Sequence, residues 1–146
     1  MKKILIMGLP DSGKTTLAQA LKNYLERQCS VDWFNADTVR KRFNDWDFTN
    51  KGRIRQSLRM AQLADKSVKD FVICDFVAPL VQMREIFKAD WTIWMDTIQE
   101  SRFDDTNKAF MPPQKYNFRI IEKHAEKWAE LIGMSILDEV CEPVAG

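Results

Sequence analysis

Near the start of the chain, Gly8-Leu9-Pro10-Asp11-Ser12-Gly13-Lys14-Thr15 fits the spacing G-x-x-x-x-G-K-[ST], and Thr16 continues it. Glycines at both ends let successive backbone N–H groups turn inward around phosphate oxygens. A helix starting near Gly13 adds the positive end of its dipole. In this geometry Lys14 reaches the β- and γ-phosphates of a nucleotide and the Thr15 hydroxyl ligates a magnesium ion. An ordinary glycine-rich turn is the competing reading, because short patterns arise by chance. Its surroundings decide against that: an apolar run, Lys3–Met7, leads directly in, and a helical pattern leads directly out. The residues imply ATP as co-substrate with Mg2+ and do not say where the phosphate goes.

Two further carboxylates stand where an open parallel sheet binds ligands, beyond the carboxyl ends of strands. Asp37 follows the run Val31–Asn35; it can take the proton of an attacking hydroxyl, help hold magnesium, or cap the next helix. Asp75 ends the run Phe71–Cys74 and either contacts the magnesium shell or merely terminates the strand. Arginines are dense in the next helical segments: Arg40, Arg53, Arg55 and Arg59. Arg53 and Gln56 share one helix face and Arg55 and Arg59 another, so that one row lines an acceptor pocket and the other is solvated. His124 stands outside any cluster and reads as structural, and the tryptophans read as core.

The elements that must carry these groups alternate. Strands are expected at Lys3–Met7, Val31–Asn35, Phe71–Asp75, Trp91–Asp96 and Tyr116–Ile121. Helices are expected at Gly13–Arg27, Thr38–Asn44, Gly52–Lys69, Pro79–Lys88 and Lys123–Ile132. In the third helix Ile54, Leu58, Ala61, Asp65 and Val68 form the expected inner stripe. After Gly133 the tail reads as a short strand, Met134–Leu137, or as frayed chain. Ser101–Lys115 is polar and turn-rich, which makes it a surface loop or a mobile lid. The whole is one α/β domain over residues 1–146, three layers around a parallel sheet in the order 2-3-1-4-5.

Composition narrows the partners. A formal net charge of +1 gives no field for nucleic acid or an anionic membrane, so any basic site is local. Cys29, Cys74 and Cys141 lack metal-ligand spacing and read as thiols of a reducing cytoplasm. No stretch reaches the length of a membrane span. A homodimer is compatible with these residues and required by none of them.

With these residues in place, the chain resembles the adenylylsulfate (APS) kinase family from its first strand to about Lys108. Gly8-Leu9-Pro10 through Gly13-Lys14-Thr15-Thr16 is similar to G-L-[SP]-G-x-G-K-[ST]-T, and Asn35-Ala36-Asp37-Thr38-Val39-Arg40 to D-G-D-N-x-R. Phe48-Thr49 with Arg53 and Gln56 resembles F-S…R-x-x-N; Asp75-Phe76-Val77-Ala78-Pro79 resembles S-F-I-S-P; Asp96-Thr97 resembles D-T-P. The resemblance implies an acid/base role for Asp37 and substrate contacts for Arg40, Phe48, Arg53, Gln56, Phe76 and Val77. In register, Lys108 falls on the lysine of the family's lid. The chain departs from the pattern at Asp11, Asn35, Thr38 and Gln56, and in a shorter lid. Ala78 replaces a serine that some members phosphorylate, which excludes a phosphoenzyme there. The resemblance implies phosphoryl transfer from ATP to the 3′-hydroxyl of adenylylsulfate, a small anionic acceptor. The alternatives are a kinase of this fold for another hydroxyl (nucleotide, nucleoside or modified base) and a nucleotide-binding module without catalysis.

Overall fold

The computed structural model describes residues 1–140; Cys141, read above as a thiol, lies outside them. Its strands are β1 (Lys2–Met7), β2 (Val31–Asn35), β3 (Phe71–Asp75), β4 (Trp91–Met95) and β5 (Phe118–Ile120). Its helices are α1 (Lys14–Leu25), α2 (Ala36–Phe43), α3 (Asn50–Asp65), α4 (Val81–Phe87), α5 (Asp104–Ala109) and α6 (Ala125–Val140). The strands form one five-stranded sheet in the order β2-β3-β1-β4-β5, every pairing parallel. This is the order expected from the sequence.

β1 is central, and its composition follows from that. Ile4 and Ile6 face one side with Leu17, Leu21, Ile132 and Ile136; Leu5 and Met7 face the other with Val39, Met60 and Phe87. A strand covered by helices on both faces loses the polar half of the usual alternation. All four of these residues are fully buried.

Four expectations are corrected. The inner face of α3 is Gly52, Arg53, Gln56, Ser57, Met60, Ala61 and Ala64, whereas Leu58 is exposed and Val68 lies past the helix at 94% exposure. The apolar stripe fails because the first half of this face lines a polar cavity rather than the core. Met134–Leu137 is helix, not strand: α6 runs through Gly133 to Val140. Gly133 is no stop signal; a Cβ there would come within 2.3 Å of the Tyr24 ring, so the glycine lets α6 lie close on α1. Ser101–Lys115 is partly helical, with α5 inside it. The helix after β2 starts at Ala36, two residues early, because the Asn35 side chain caps it by accepting from Thr38 N at 3.1 Å.

Gly133→Val tests the α1–α6 contact. Helix propensity changes by well under 1 kcal/mol in favour of valine, while overpacking against Tyr24 costs about 1–3 kcal/mol. Urea denaturation is expected to show a net loss of stability, and an unchanged or raised midpoint would mean the helices do not approach as described.

Candidate active site

The loop between β1 and α1 is shaped by what it cannot contain. Gly8 has φ 151°, and a Cβ there would sit 2.6 Å from the Met95 carbonyl oxygen of β4. Gly13, at φ 98°, caps α1 from the left-handed region, and Asp11 stands there too at φ 66°. The loop's carbonyls are taken by other donors. Lys14 Nζ donates to Leu9 O at 2.9 Å, Thr97 Oγ1 to Ser12 O at 2.7 Å, and Lys123 Nζ to Asp11 O at 2.8 Å. With these carbonyls already hydrogen-bonded, the N-terminus of α1 is left to an anion. Pro10, Asp11, Gly13, Lys14, Thr15 and Thr16 line the cavity above the loop. Gly8, Leu9 and Ser12 are not among its lining residues and contribute backbone shape; Ser12 Oγ is buried with no hydrogen-bond partner among the described residues. Burial lowers the Lys14 ammonium to about 8, against the opposing pull of Asp75, Asp37 and Asp11.

Beside this loop, parallel pairing puts Asn35 of β2 in register with Asp75 of β3. Asp75 is buried and accepts from Thr15 Oγ1 at 2.9 Å, Asn35 Nδ2 at 2.9 Å and Trp33 Nε1 at 2.7 Å. Burial pushes its carboxyl above the ordinary range, opposed by those three hydrogen bonds and by Lys14. Magnesium in phosphate sites takes oxygen ligands, one or two carboxylates and the phosphates themselves. Thr15 Oγ1 and Asp75 Oδ2 are such a set, and they adjoin the phosphate loop. No cluster of three or more His, Cys, Asp or Glu occurs among the described residues, and this mode of binding needs none. Cys74, next in β3, is buried, and burial pushes its thiol well up.

The remaining expected residues gather on the far side of the same cavity, with one exception. Asp37 is exposed in the first turn of α2 and lines it, and because Asn35 supplies the cap, the Asp37 carboxylate is not needed for capping. Arg40 and Arg53 are 5% and 7% exposed. Arg40 Nη1 donates to Asp45 O and Asp47 O, both at 3.1 Å; Arg53 donates from Nε to Phe48 O at 2.8 Å and from Nη2 to Thr106 Oγ1 at 3.0 Å. Neither has an ion-pair partner among the described residues, whereas Arg55 and Arg59, the other row, pair with Asp45. Both buried guanidiniums are lowered by desolvation. The Phe48 ring lies between them, 4.3 Å from the Arg40 guanidinium carbon and 5.8 Å from that of Arg53. Gln56 donates to Ala36 O at 3.1 Å and accepts from Arg59 at 2.9 Å, while Phe76 and Val77 line the wall. Lys108 is the exception: it is exposed on α5 and does not line the cavity.

Sequence reasoning passed over Lys123, His124, Ala125 and Trp128, which wall the loop side, while Arg102 to Thr106, in the segment read as a surface loop or lid, form the roof. His124, read as structural, is an exposed wall residue. The rule that singled out Asp37 and Asp75, a position just past the carboxyl end of a strand, also applies to Lys123 and His124 after β5. The cavity as a whole is about 1060 Å³. That is the upper end of small-ligand sites and leaves room for more than one ligand.

A parallel sheet in this order, with a phosphate loop leaving its central strand, is a P-loop kinase fold. The APS kinase of Mycobacterium tuberculosis, solved with AMPPNP and APS, superposes with TM-score 0.78 at 17% identity, covering 94% of this chain and 97% of that one. Shikimate kinase from Aquifex aeolicus gives 0.62 at 16% identity over 97% and 99% of the two chains. The family model for adenylylsulphate kinase matches residues 2–99, and the chain belongs to that family. A probable adenylyl-sulfate kinase of Aeropyrum pernix is 33% identical over 87 residues, 57% of this chain and 48% of the relative, so the chain matches about half of that protein's length. No helix among the described residues is long and apolar enough to cross a membrane.

A bound polyphosphate must raise Lys14 again, because the ammonium then faces anionic oxygens. Starting from about 8, Lys14 is largely neutral above that pH, so nucleotide binding near pH 9 takes up a proton and binding near pH 6.5 takes up none from this group. Calorimetry of ADP binding in two buffers of different ionisation enthalpy reads this directly. Equal proton uptake at both pH values would contradict the assignment.

Proposed function

We propose that the chain is an ATP-dependent kinase that phosphorylates a hydroxyl of a small anionic acceptor, and that the acceptor is adenylylsulfate. One observation carries the reading. A single cavity holds the phosphate loop at one side and, at the other, two buried arginines that form no ion pair with a carboxylate of the described residues. A buried cation without a counter-ion is costly, and an anionic ligand offsets that cost. Family membership supports the choice of adenylylsulfate.

In this reading the acceptor oxygen bonds to the γ-phosphorus as the bond to the β–γ bridging oxygen breaks. The electron pair leaves with ADP, and the hydroxyl proton passes to Asp37. Lys14 and the loop amides hold the charge that develops on the phosphoryl oxygens. Thr15 and Asp75 would hold Mg2+, which neutralises phosphate charge when bound. The roof formed by Arg102–Thr106 excludes water from the transfer.

A different hydroxyl acceptor is the second reading, and a specific observation favours it. The side-chain amides of Asn35 and Gln56, two of the departures from the family pattern, are already used by Thr15, Asp75, Ala36 and Arg59. Groups spent inside the protein contribute little to recognising a ligand.

Titration of adenylylsulfate into the ADP-bound protein distinguishes the two. Saturable binding is expected, and none at millimolar ligand would remove adenylylsulfate as acceptor while leaving the kinase reading to an ADP-release assay over other hydroxyl compounds. Asp37→Asn keeps the size of the side chain and loses the base, so turnover is expected to fall about 100-fold or more with stability unchanged. Arg53→Lys keeps the charge and loses the planar fork, so the acceptor's KM is expected to rise about tenfold at constant ADP affinity. Near-normal kinetics in either variant would move the role elsewhere.

A further inference from the structure

Asp75 is held from β2 at both of its carboxylate oxygens. Trp33 Nε1 donates to Oδ1 at 2.7 Å, and Asn35 Nδ2 donates to Oδ2 at 2.9 Å. Alternation along a strand puts Trp33 and Asn35 on one face of β2, and parallel register sets them beside Ile73 and Asp75 of β3. The long indole therefore reaches two residues along β3 to find the carboxylate. Asn35 lines the cavity and Trp33 does not, so the influence of Trp33 on a ligand runs through Asp75. An indole N–H can only donate, which ties Oδ1 down and leaves Oδ2 toward the Thr15 hydroxyl, 2.9 Å away. Asn35 Nδ2 also donates to Thr15 Oγ1 at 3.0 Å and closes the triangle. The two strand ends have changed together. Against D-G-D-N-x-R and S-F-I-S-P, Asn35 stands at an aspartate and Asp75 at a serine, and the two positions are in register. In this chain the carboxylate is on β3, and β2 carries the donors that face it.

Resting on the nucleotide and magnesium reading above, we infer that Trp33 and Asn35 are positioning residues that set the Asp75 carboxylate for the metal of a bound nucleotide. A carboxyl group turns easily about its last side-chain bond, where the torsion is broad. Trp33 and Asn35 each hold a different oxygen, so together they stop that turning. Partners behind a metal ligand fix its orientation, and they matter most for magnesium, which demands near-ideal geometry. The same bonds also satisfy a buried carboxylate, as folded proteins require. Satisfaction alone would show in stability and leave metal binding untouched, which separates the two roles.

The test measures ADP affinity by calorimetry in excess magnesium and again in EDTA, and takes the ratio as the gain from metal. Trp33→Phe keeps an aromatic ring and loses the N–H. Asn35→Ser loses the amide donor and keeps a side-chain oxygen to cap α2. Each variant is expected to lower the gain about tenfold or more, with affinity in EDTA unchanged. Asp75→Asn checks the route: adding Trp33→Phe to it is expected to change the gain no further. A gain that Trp33→Phe lowers equally with and without Asp75 overturns the inference. So does an intact gain beside a lowered urea midpoint, which makes Trp33 a packing residue. If Trp33→Phe does not fold, Asn35→Ser decides by the same readings. A wild-type chain whose ADP affinity ignores magnesium overturns the metal reading along with this one, and one that binds no ADP overturns the nucleotide site. A wild-type gain that both variants preserve overturns this inference alone.

Discussion

Everything at this site depends on a close approach of two backbones, at Gly8 and Met95. The chain leaves the central strand directly under a carbonyl of its neighbour, and any Cβ there would meet that oxygen at 2.6 Å. β4 lies beside β1, which places the carbonyl; β3 lies on the other side, which places Asp75 against Thr15. The strand order therefore fixes the loop's floor and its carboxylate together. The donors from Lys14, Thr97 and Lys123 then satisfy the loop's carbonyl oxygens. No single element makes the anion site; the crossing of several does.

The acceptor side is organised by a different cost. Two guanidiniums are buried there, and the protein supplies backbone carbonyls and a threonine hydroxyl rather than carboxylates. Hydrogen bonds of this kind satisfy part of each fork and leave its charge. Had Asp45 been turned inward, its carboxylate would have offset one of the two charges. Instead Arg55 and Arg59 hold Asp45 from outside, and those two hydrogen bonds keep its carboxyl well below the ordinary range. The outer arginines thus preserve the charge of the inner ones.

What could be read from the sequence was what is local or doubly buried. The phosphate loop is a contiguous pattern, and β1 and β3 are near-continuous apolar runs because both faces are covered. The sheet order followed from these. The apolar stripe expected for α3 was misplaced because Arg53, Gln56 and Ser57 point into a site rather than a core, although three-residue spacing had already put Arg53 and Gln56 on one face. Gly133 suggested an end to the last helix, and only the Tyr24 ring across from it reveals why a glycine stands mid-helix. The candidate site was legible where a residue follows a strand end, as at Asp37 and Asp75. It was not legible for Arg102, whose place depends on how a turn-rich segment folds back over the loop. Counting in register put weight on Lys108 in that segment, and α5 turns Lys108 outward.

Arg84 borders the site through Ala78 and Pro79 without lining it. From α4 its guanidinium donates to Ala78 O at 2.9 Å, to Pro79 O at 3.2 Å and to Met111 O, and Met111 N donates back to Pro79 O at 2.8 Å. Ala78 is a non-glycine residue at φ 46°, a conformation that stays only where its surroundings hold it. The same side chain thus braces the strained wall of the acceptor pocket and moors the far end of the roof. The consequence is a shared anchor: loss of the Arg84 guanidinium would free the wall and the mooring of the roof together.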